Sequence, residues 1–406
     1  MDAKSVGVTI AKLRKKQKLT QSALAARLGV TDKAVSRWEN GQGYPDVSLF
    51  PVLATLFGVS VDYLMTGDRR GIVIAGSMIA DVVKNIREYP RQGMMAYMTG
   101  GTSISIGGCA ANTSVNLAKI DPTLPISVMG RVGADENGRF IVSEMRRHGI
   151  AVDRITFSDA APTSFCDVMS VPSGERTFFH QKGANAEFSP EDVDVATLSC
   201  DILHIGYVFL LDKFDAPDPE YGSVMARFLH KVQRAGIKTS IDMVSDSEAD
   251  YGATLIPIFR YCDYVIVNEV ECCTVWGIEP RRADGSLDRD AVKEAMRRTV
   301  EAGVRDRVIV HAKEACFVMT RNGDFTEVAS LAIPPEDIKG SVGAGDAFCA
   351  GCLWGLLHHT PDKQLLEFAS AAAACNLYAE NSTDGMRGKN EIAEMAAGHK
   401  RLNLPK

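Results

Sequence analysis

Gly340-Ser341-Val342-Gly343-Ala344-Gly345-Asp346 runs directly into Ala347 to Leu357, a stretch of small and apolar residues that reads as a buried helix. Glycines at such a junction let consecutive backbone N–H groups converge on an anion, because no side chain obstructs the approach. Aimed at a transferring phosphoryl group, those donors would form an oxyanion hole. Asp346 would stand beside it as a carboxylate able to take the proton of an attacking hydroxyl. A plain glycine turn whose acid complements the helix dipole would carry the same letters. GxxxxGK[ST] occurs nowhere in the chain, so phosphate chemistry cannot rest on a Walker-type loop.

Outward from that stretch, short β-branched runs alternate with helical patterns. Ile72 to Ala75, Ile126 to Met129, Ile202 to Ile205, Thr239 to Ile241, Tyr264 to Val267 and Arg307 to Val310 are the strands; Ala111 to Lys119 and Gly138 to His148 are among the helices. This is the rhythm of a doubly wound α/β domain, a parallel sheet with helices on both faces. Ser164 to Val171 and Arg176 to Gln181 flank Pro172-Ser173-Gly174-Glu175, which predicts an antiparallel hairpin placed as a small β lid.

The first seventy residues read differently. Val8 to Lys18 has helical spacing, Thr20 caps a helix over Gln21 to Leu28, and Gly29 closes it. Thr31 caps another over Asp32 to Asn40, stopped by Gly41-Gln42-Gly43. Two helices joined by a tight glycine turn make a helix-turn-helix. Further helices near Val47 to Phe57 and Val61 to Met65 would cover it, with Val35 and Trp38 facing the core. The expected division is an all-α domain over 1–68, a short polar linker near Gly67 to Gly71, and the α/β domain over 72–400.

Residues 1 to 70 hold eleven Lys or Arg against six Asp or Glu, a net of +5 in a chain of formal charge −6, so the other 336 residues carry −11. A basic domain on an acidic body suits a first domain that approaches a polyanion, although solvated helix faces give the same asymmetry. Ten cysteines without regular spacing, and no apolar leader after Met1, point to a reducing cytoplasm and no disulfide framework. The longest apolar stretches, such as Leu203 to Leu211, are too short to span a bilayer, and Cys349 and Cys352 read as small buried helix residues.

Leu19 to Ala25 and Val35 to Gly41 resemble the Cro and lambda-repressor type of helix-turn-helix, the XRE family. The resemblance implies double-stranded operator DNA as a partner, with Lys33, Ser36 and Arg37 toward base edges and Gln21 and Asn40 on backbone phosphates. Gly343 to Asp346 with its Ala/Gly-rich helix resembles the second signature of the ribokinase-like, or PfkB, carbohydrate kinases. Gly76 to Asp81, Gly107 to Asn112, Gly130 to Asp135, Gly183 to Asn185 and Asn268 to Glu271 match that family in order and spacing.

By that resemblance Asp346 is the catalytic base, and the backbone of Gly343, Ala344 and Gly345 is the anion hole. Asp81, Gly107, Gly108, Asn112 and Asn185 would hold a sugar or nucleoside substrate. Asn268, Glu271, Ala312, Lys313, Ala315 and Ser341 would line the ATP site, with Glu271 acting on Mg²⁺ through water. Two departures bear on this. Gly340 replaces an Asp that helps bind a monovalent cation, which puts such activation in doubt. His311-Ala312-Lys313-Glu314-Ala315 replaces a Gly-x-x-Gly turn, so lost positive φ would reshape nucleotide binding. The expected activity is ATP-dependent phosphorylation of a small sugar-like hydroxyl by a DNA-binding homodimer. The alternatives are a kinase-like ligand sensor and a nucleoside kinase.

Overall fold

The computed structural model describes residues 3–57, 59, 61–66, 71–172 and 176–404. Linker residues 67–70 and turn residues 173–175 lie outside them. Five helices come first: α1 (Ala3–Lys16), α2 (Gln21–Leu28), α3 (Asp32–Glu39), α4 (Leu49–Phe57) and α5 (Val61–Thr66). Thr20 and Thr31 cap α2 and α3 by accepting from the N–H of Ala23 and Ala34, each satisfying one orphan donor of its helix start. Gly29 closes α2 in the left-handed conformation at φ 67°. Val35 and Trp38 are buried with Leu24, Leu53 and Leu64, so α2 and α3 are fixed by a core that α1, α4 and α5 complete. Arg14 grips both oxygens of Glu39 at 2.6 and 2.8 Å and donates to the Leu19 carbonyl at 2.6 Å, tying α1 to the end of α3.

The rest of the chain alternates as expected. In order come β1 (Ile72–Gly76), β2 (Ile79–Ile86), β3 (Met98–Gly107), α6 (Cys109–Ile120), β4 (Ile126–Gly133), α7 (Glu136–Arg147), β5 (Ala151–Ser158), β6 (Phe165–Ser170), β7 (Arg176–Gln181) and β8 (Ile202–Val208). There follow α8 (Asp212–Asp215), the two-residue strands β9 (Pro217–Asp218) and β10 (Gly222–Ser223), α9 (Val224–Arg234), β11 (Lys238–Met243), α10 (Tyr251–Phe259), β12 (Tyr264–Asn268), α11 (Glu269–Thr274) and α12 (Arg289–Glu301). Last are β13 (Arg307–His311), β14 (Ala315–Thr320), β15 (Phe325–Ala329), α13 (Ala344–Leu357), α14 (Asp362–Asn376) and α15 (Lys389–Gly398).

Nine strands form one sheet in the order β15-β14-β13-β12-β11-β8-β1-β4-β5, parallel except where β14 and β15 run antiparallel at one edge. Alternate side chains of β1 enter different cores: Ile72 and Ile74 pack with α6 and α13, while Val73 and Ala75 pack with the α9 and α12 side. Burial on both faces is why these strands read as continuous apolar runs.

The lid is larger than the expected hairpin. β6 and β7 do pair antiparallel, but they belong to a four-stranded sheet in the order β3-β2-β6-β7. β3 escaped the sequence reading because most of it is exposed and carries Thr, Ser and Gly, leaving only the short alternation of Ser103 to Ile106 to find.

Candidate active site

Strand ends and helix starts meet at one edge of the large sheet, where ligands of open α/β sheets bind. Asp346 is the third residue of α13, and it is buried. The first N–H groups of that helix have no preceding carbonyl to bond and point out of its start. Gly343 precedes them at φ 77°, and a Cβ there would lie 2.4 Å from the Cβ of Ser382, so only glycine fits. At Gly345 a Cβ would make only an ordinary 3.5 Å contact with the His311 ring, so the protein leaves open a space beside the helix start that an anion can use.

The Asp346 carboxylate accepts from Tyr207 Oη at 2.6 Å and from Asn112 Nδ2 at 2.8 Å. Burial, with the negative charge of Asp242 adding, pushes it up to about 6 against those two hydrogen bonds. Across a cavity of about 270 Å³ lies Glu271, buried rather than an exposed helix acid. Asn268 caps α11 by accepting from the Glu271 N–H at 2.8 Å, and Glu271 reciprocates by accepting from the Asn268 N–H at 3.0 Å. Burial pushes Glu271 up to about 7, opposed by that N–H and by the Ser245 hydroxyl at 3.0 Å.

Comparison with known proteins places the chain that carries this arrangement in a family. Residues 69–387 match the model of the pfkB family of carbohydrate kinases. The chain belongs to that family. Residues 10–64 match a helix-turn-helix model. The kinase is 23% identical to a ribokinase of Schizosaccharomyces pombe over 329 residues, 79% of this chain and 96% of that one. It is 22% identical to a 5-dehydro-2-deoxygluconokinase of Geobacillus kaustophilus over 73% of this chain and 85% of that one. The solved structure of Arabidopsis thaliana ribokinase complexed with ribose and ATP superposes with a TM-score of 0.64 at 19% identity, covering 81% of this chain and 99% of that one.

Within the pfkB-family domain the expected substrate residues fall on the lid and on α6. Asp81 sits on lid strand β2, not at the end of a central strand, and its carboxylate lies so close to β3 that a Cβ on Gly107 would be 2.3 Å from Oδ2. Gly108 precedes α6 at φ 81°. Asn112 is directed at the base rather than only at a ligand, since Nδ2 bonds Asp346 while its buried Oδ1 finds no partner among the described residues. Asn185, on a short 3-10 turn, accepts from the Met78 N–H at 3.1 Å through Oδ1, and its buried Nδ2 finds no partner among the described residues. A cleft of about 560 Å³ runs between Val83, Asn85 and Phe178 of the lid and residues Lys339 to Val342.

On the other side of the kinase's Gly343 loop a cavity of about 410 Å³ is lined by Ala312, Lys313, Ser341, Ala344, Phe348 and Leu377. Ala315 does not line it: it is fully buried at the start of β14, and its carbonyl accepts from the Ala312 N–H at 2.8 Å. Neither alanine adopts a positive φ, so the turn closes without the glycines and without strain. The sequence reading gave no role to Tyr207, Asp242, Ser245 or His311. An acid ending an apolar strand, as in Ser240-Ile241-Asp242, was a readable signal for one of them.

In the helix-turn-helix, Lys33 and Arg37 are exposed on α3 and Ser36 is half-buried. Gln21 and Asn40, expected on DNA phosphates, each make a hydrogen bond within the bundle. Gln21 donates to Glu39 at 2.7 Å, and Asn40 donates to the Ser36 carbonyl at 2.9 Å. Their amides are short enough to reach these neighbours, and the pairs satisfy them locally. No helix among the described residues is long and apolar enough to cross a membrane.

Proposed function

We propose that the chain transfers the γ-phosphoryl group of ATP to a hydroxyl of a small sugar or sugar-like substrate, and that residues 1–68 bind operator DNA as part of a homodimer while residues 72–400 do the chemistry. The observation carrying the first half is Asp346 buried on the open start of α13, oriented by Tyr207 and Asn112. The substrate hydroxyl gives its proton to Asp346 as its oxygen attacks the phosphorus, and the bond to the ADP oxygen breaks. The N–H groups of Gly343, Ala344 and Gly345 hold the charge that develops on the phosphoryl oxygens. Asp81, Gly107, Gly108, Asn112 and Asn185 face the substrate, whose adjacent hydroxyls match the unpaired Asn112 Oδ1 and Asn185 Nδ2. Bound Mg²⁺ supplies charge neutralisation on the phosphates, and the half-buried Asn268 and buried Glu271 fit it through water. Ala312, Lys313 and Ser341 line the space for the nucleoside part of ATP.

ADP release with Mg-ATP and a panel of hexoses, pentoses, ketodeoxy acids, inositols and nucleosides tests this reading. Turnover with one class, falling by about 10²–10⁴-fold in Asp346→Asn, is the expected result. If no panel member turns over while one still raises the melting temperature, the kinase reading fails and a ligand-sensing regulator replaces it.

A further inference from the structure

Behind Asp346, four side chains that the phosphoryl chemistry does not use converge from four separate elements. Cys109 opens α6, His204 lies in mid-β8, Asp242 is near the end of β11, and Cys349 sits one turn beyond Asp346 on α13. All are buried, and the ligand atoms of Cys109, His204 and Asp242 lie within 4.8 Å of one another. His204 Nε2 is 3.4 Å from Cys109 Sγ, 3.5 Å from Cys349 Sγ and 3.4 Å from Asp242 Oδ2.

Hydrogen bonding accounts poorly for this cluster. One ring nitrogen carries at most one proton, and 3.4 Å to the carboxylate oxygen is beyond the usual N–H···O range of about 2.7–3.2 Å. The other carboxylate oxygen, Asp242 Oδ1, is buried with no hydrogen-bond partner among the described residues. An ionised acid placed so would be costly unless a cation compensates it. The separations do match a bridging metal. Bonds of about 2.3 Å to sulfur and about 2.0–2.1 Å to nitrogen or oxygen, at tetrahedral angles, put nitrogen about 3.5 Å from sulfur and about 3.4 Å from oxygen.

Two further features support a built site. His204 Nδ1 is 2.9 Å from Ser240 Oγ, a partner that would hold the ring with Nε2 free to ligate. At Gly206 a Cβ would fall 1.5 Å from Asp242 Oδ1 and 2.9 Å from Cys109 Sγ, so glycine keeps open the space between two of the donors. Asp242 and Cys349 also line the cavity that holds Asp346 and Glu271, which gives an ion a path in.

We propose that Cys109, His204 and Asp242 form a three-ligand site for a thiophilic divalent cation of the zinc class, with its fourth position left to solvent from the cavity that Asp242 lines. A thiolate and an imidazole select such an ion over Mg²⁺, which takes oxygen donors. Binding displaces the Cys109 thiol proton to solvent and joins the start of α6 to β8 and β11. Burial holds that thiol well above its ordinary range, so the ion has to compete with a proton and loads more fully as pH rises.

Cobalt(II) alone, titrated into the reduced, metal-stripped full chain, reads the site optically. The expected result is one equivalent bound, with a near-ultraviolet sulfur-to-cobalt charge-transfer band and the intense visible bands of tetrahedral cobalt, both displaced by zinc. In weak buffer about one proton should be released per metal ion. The band should be lost in a Cys109→Ser variant whose circular dichroism matches wild type, and kept in Asp346→Asn and in a Cys272→Ser control. The proposal is overturned if folded wild type shows no charge-transfer band, or if the band survives Cys109→Ser. Loss in Asp346→Asn alone would also overturn it, by placing the ion at the nucleotide site. Should the serine variants not fold, the wild-type band and proton count decide by themselves.

Discussion

Asp346 is held at about 6 by opposing influences, burial and the charge of Asp242 on one side and the hydrogen bonds from Tyr207 and Asn112 on the other. A base has to be ionised to accept a proton, so kcat/KM should fall in inverse proportion to proton concentration below about pH 6. Both hydrogen bonds favour the charged form. Removing one in Tyr207→Phe should move that acid limb to higher pH, and pH–rate profiles of the two proteins would show the shift. An unmoved limb would mean that another group controls it. Asp346 could be singled out from its glycine context alone, but Tyr207 could not: it lies 139 positions away, and only the packing of α13 against the sheet brings it to the base.

Among the elements, α2 and α3 show how far local chemistry reaches. Threonine caps, a left-handed glycine and an apolar stripe fixed their ends to within a residue, because each signal lies within a turn or two of the boundary it sets. The exposed face of α3 carries Lys33 and Arg37. Lys33→Ala should weaken DNA binding on all sequences and reduce the slope of log affinity against log salt by about 1. Arg37→Ala should instead cost about 1–3 kcal/mol and relax preference at one base pair. Anisotropy titrations over a range of salt, on the selected operator and on scrambled DNA, separate the two effects. The lid strand β3 is the opposite case, since an exposed strand rich in small polar residues announces itself only through the partner it pairs with.

Across the α/β domain, three carboxyls are held above their ordinary values, mainly by burial: Asp346 at about 6, and Asp215 and Glu271 at about 7. Unfolded, they would lose their protons near pH 4. Between about 4 and 7 the folded state therefore binds more protons, so their contribution to stability is greatest at low pH and falls as pH rises through that window. Asp215 takes no part in the proposed chemistry and accepts only from the N–H groups of Phe209 and Leu211, bonds that an amide oxygen can keep. Asp215→Asn should raise the melting temperature at pH 8, with the difference vanishing near pH 4. A gain that persists at pH 4 would point to packing rather than charge.

By itself the sequence determined the alternation of strands and helices, the capped helix-turn-helix, and the glycine-opened start of α13 with its acid. Each of these is written in residues close along the chain, where backbone preference and side-chain period act directly. Only the tertiary structure decided that the lid has four strands, that Asn112 and Tyr207 hold the base, and that Glu271 is buried. It alone decided that the ligand atoms of Cys109, His204 and Asp242 meet. Those relations join residues tens to hundreds of positions apart. The order and register of the parallel sheet set their distances, and no local spacing encodes them.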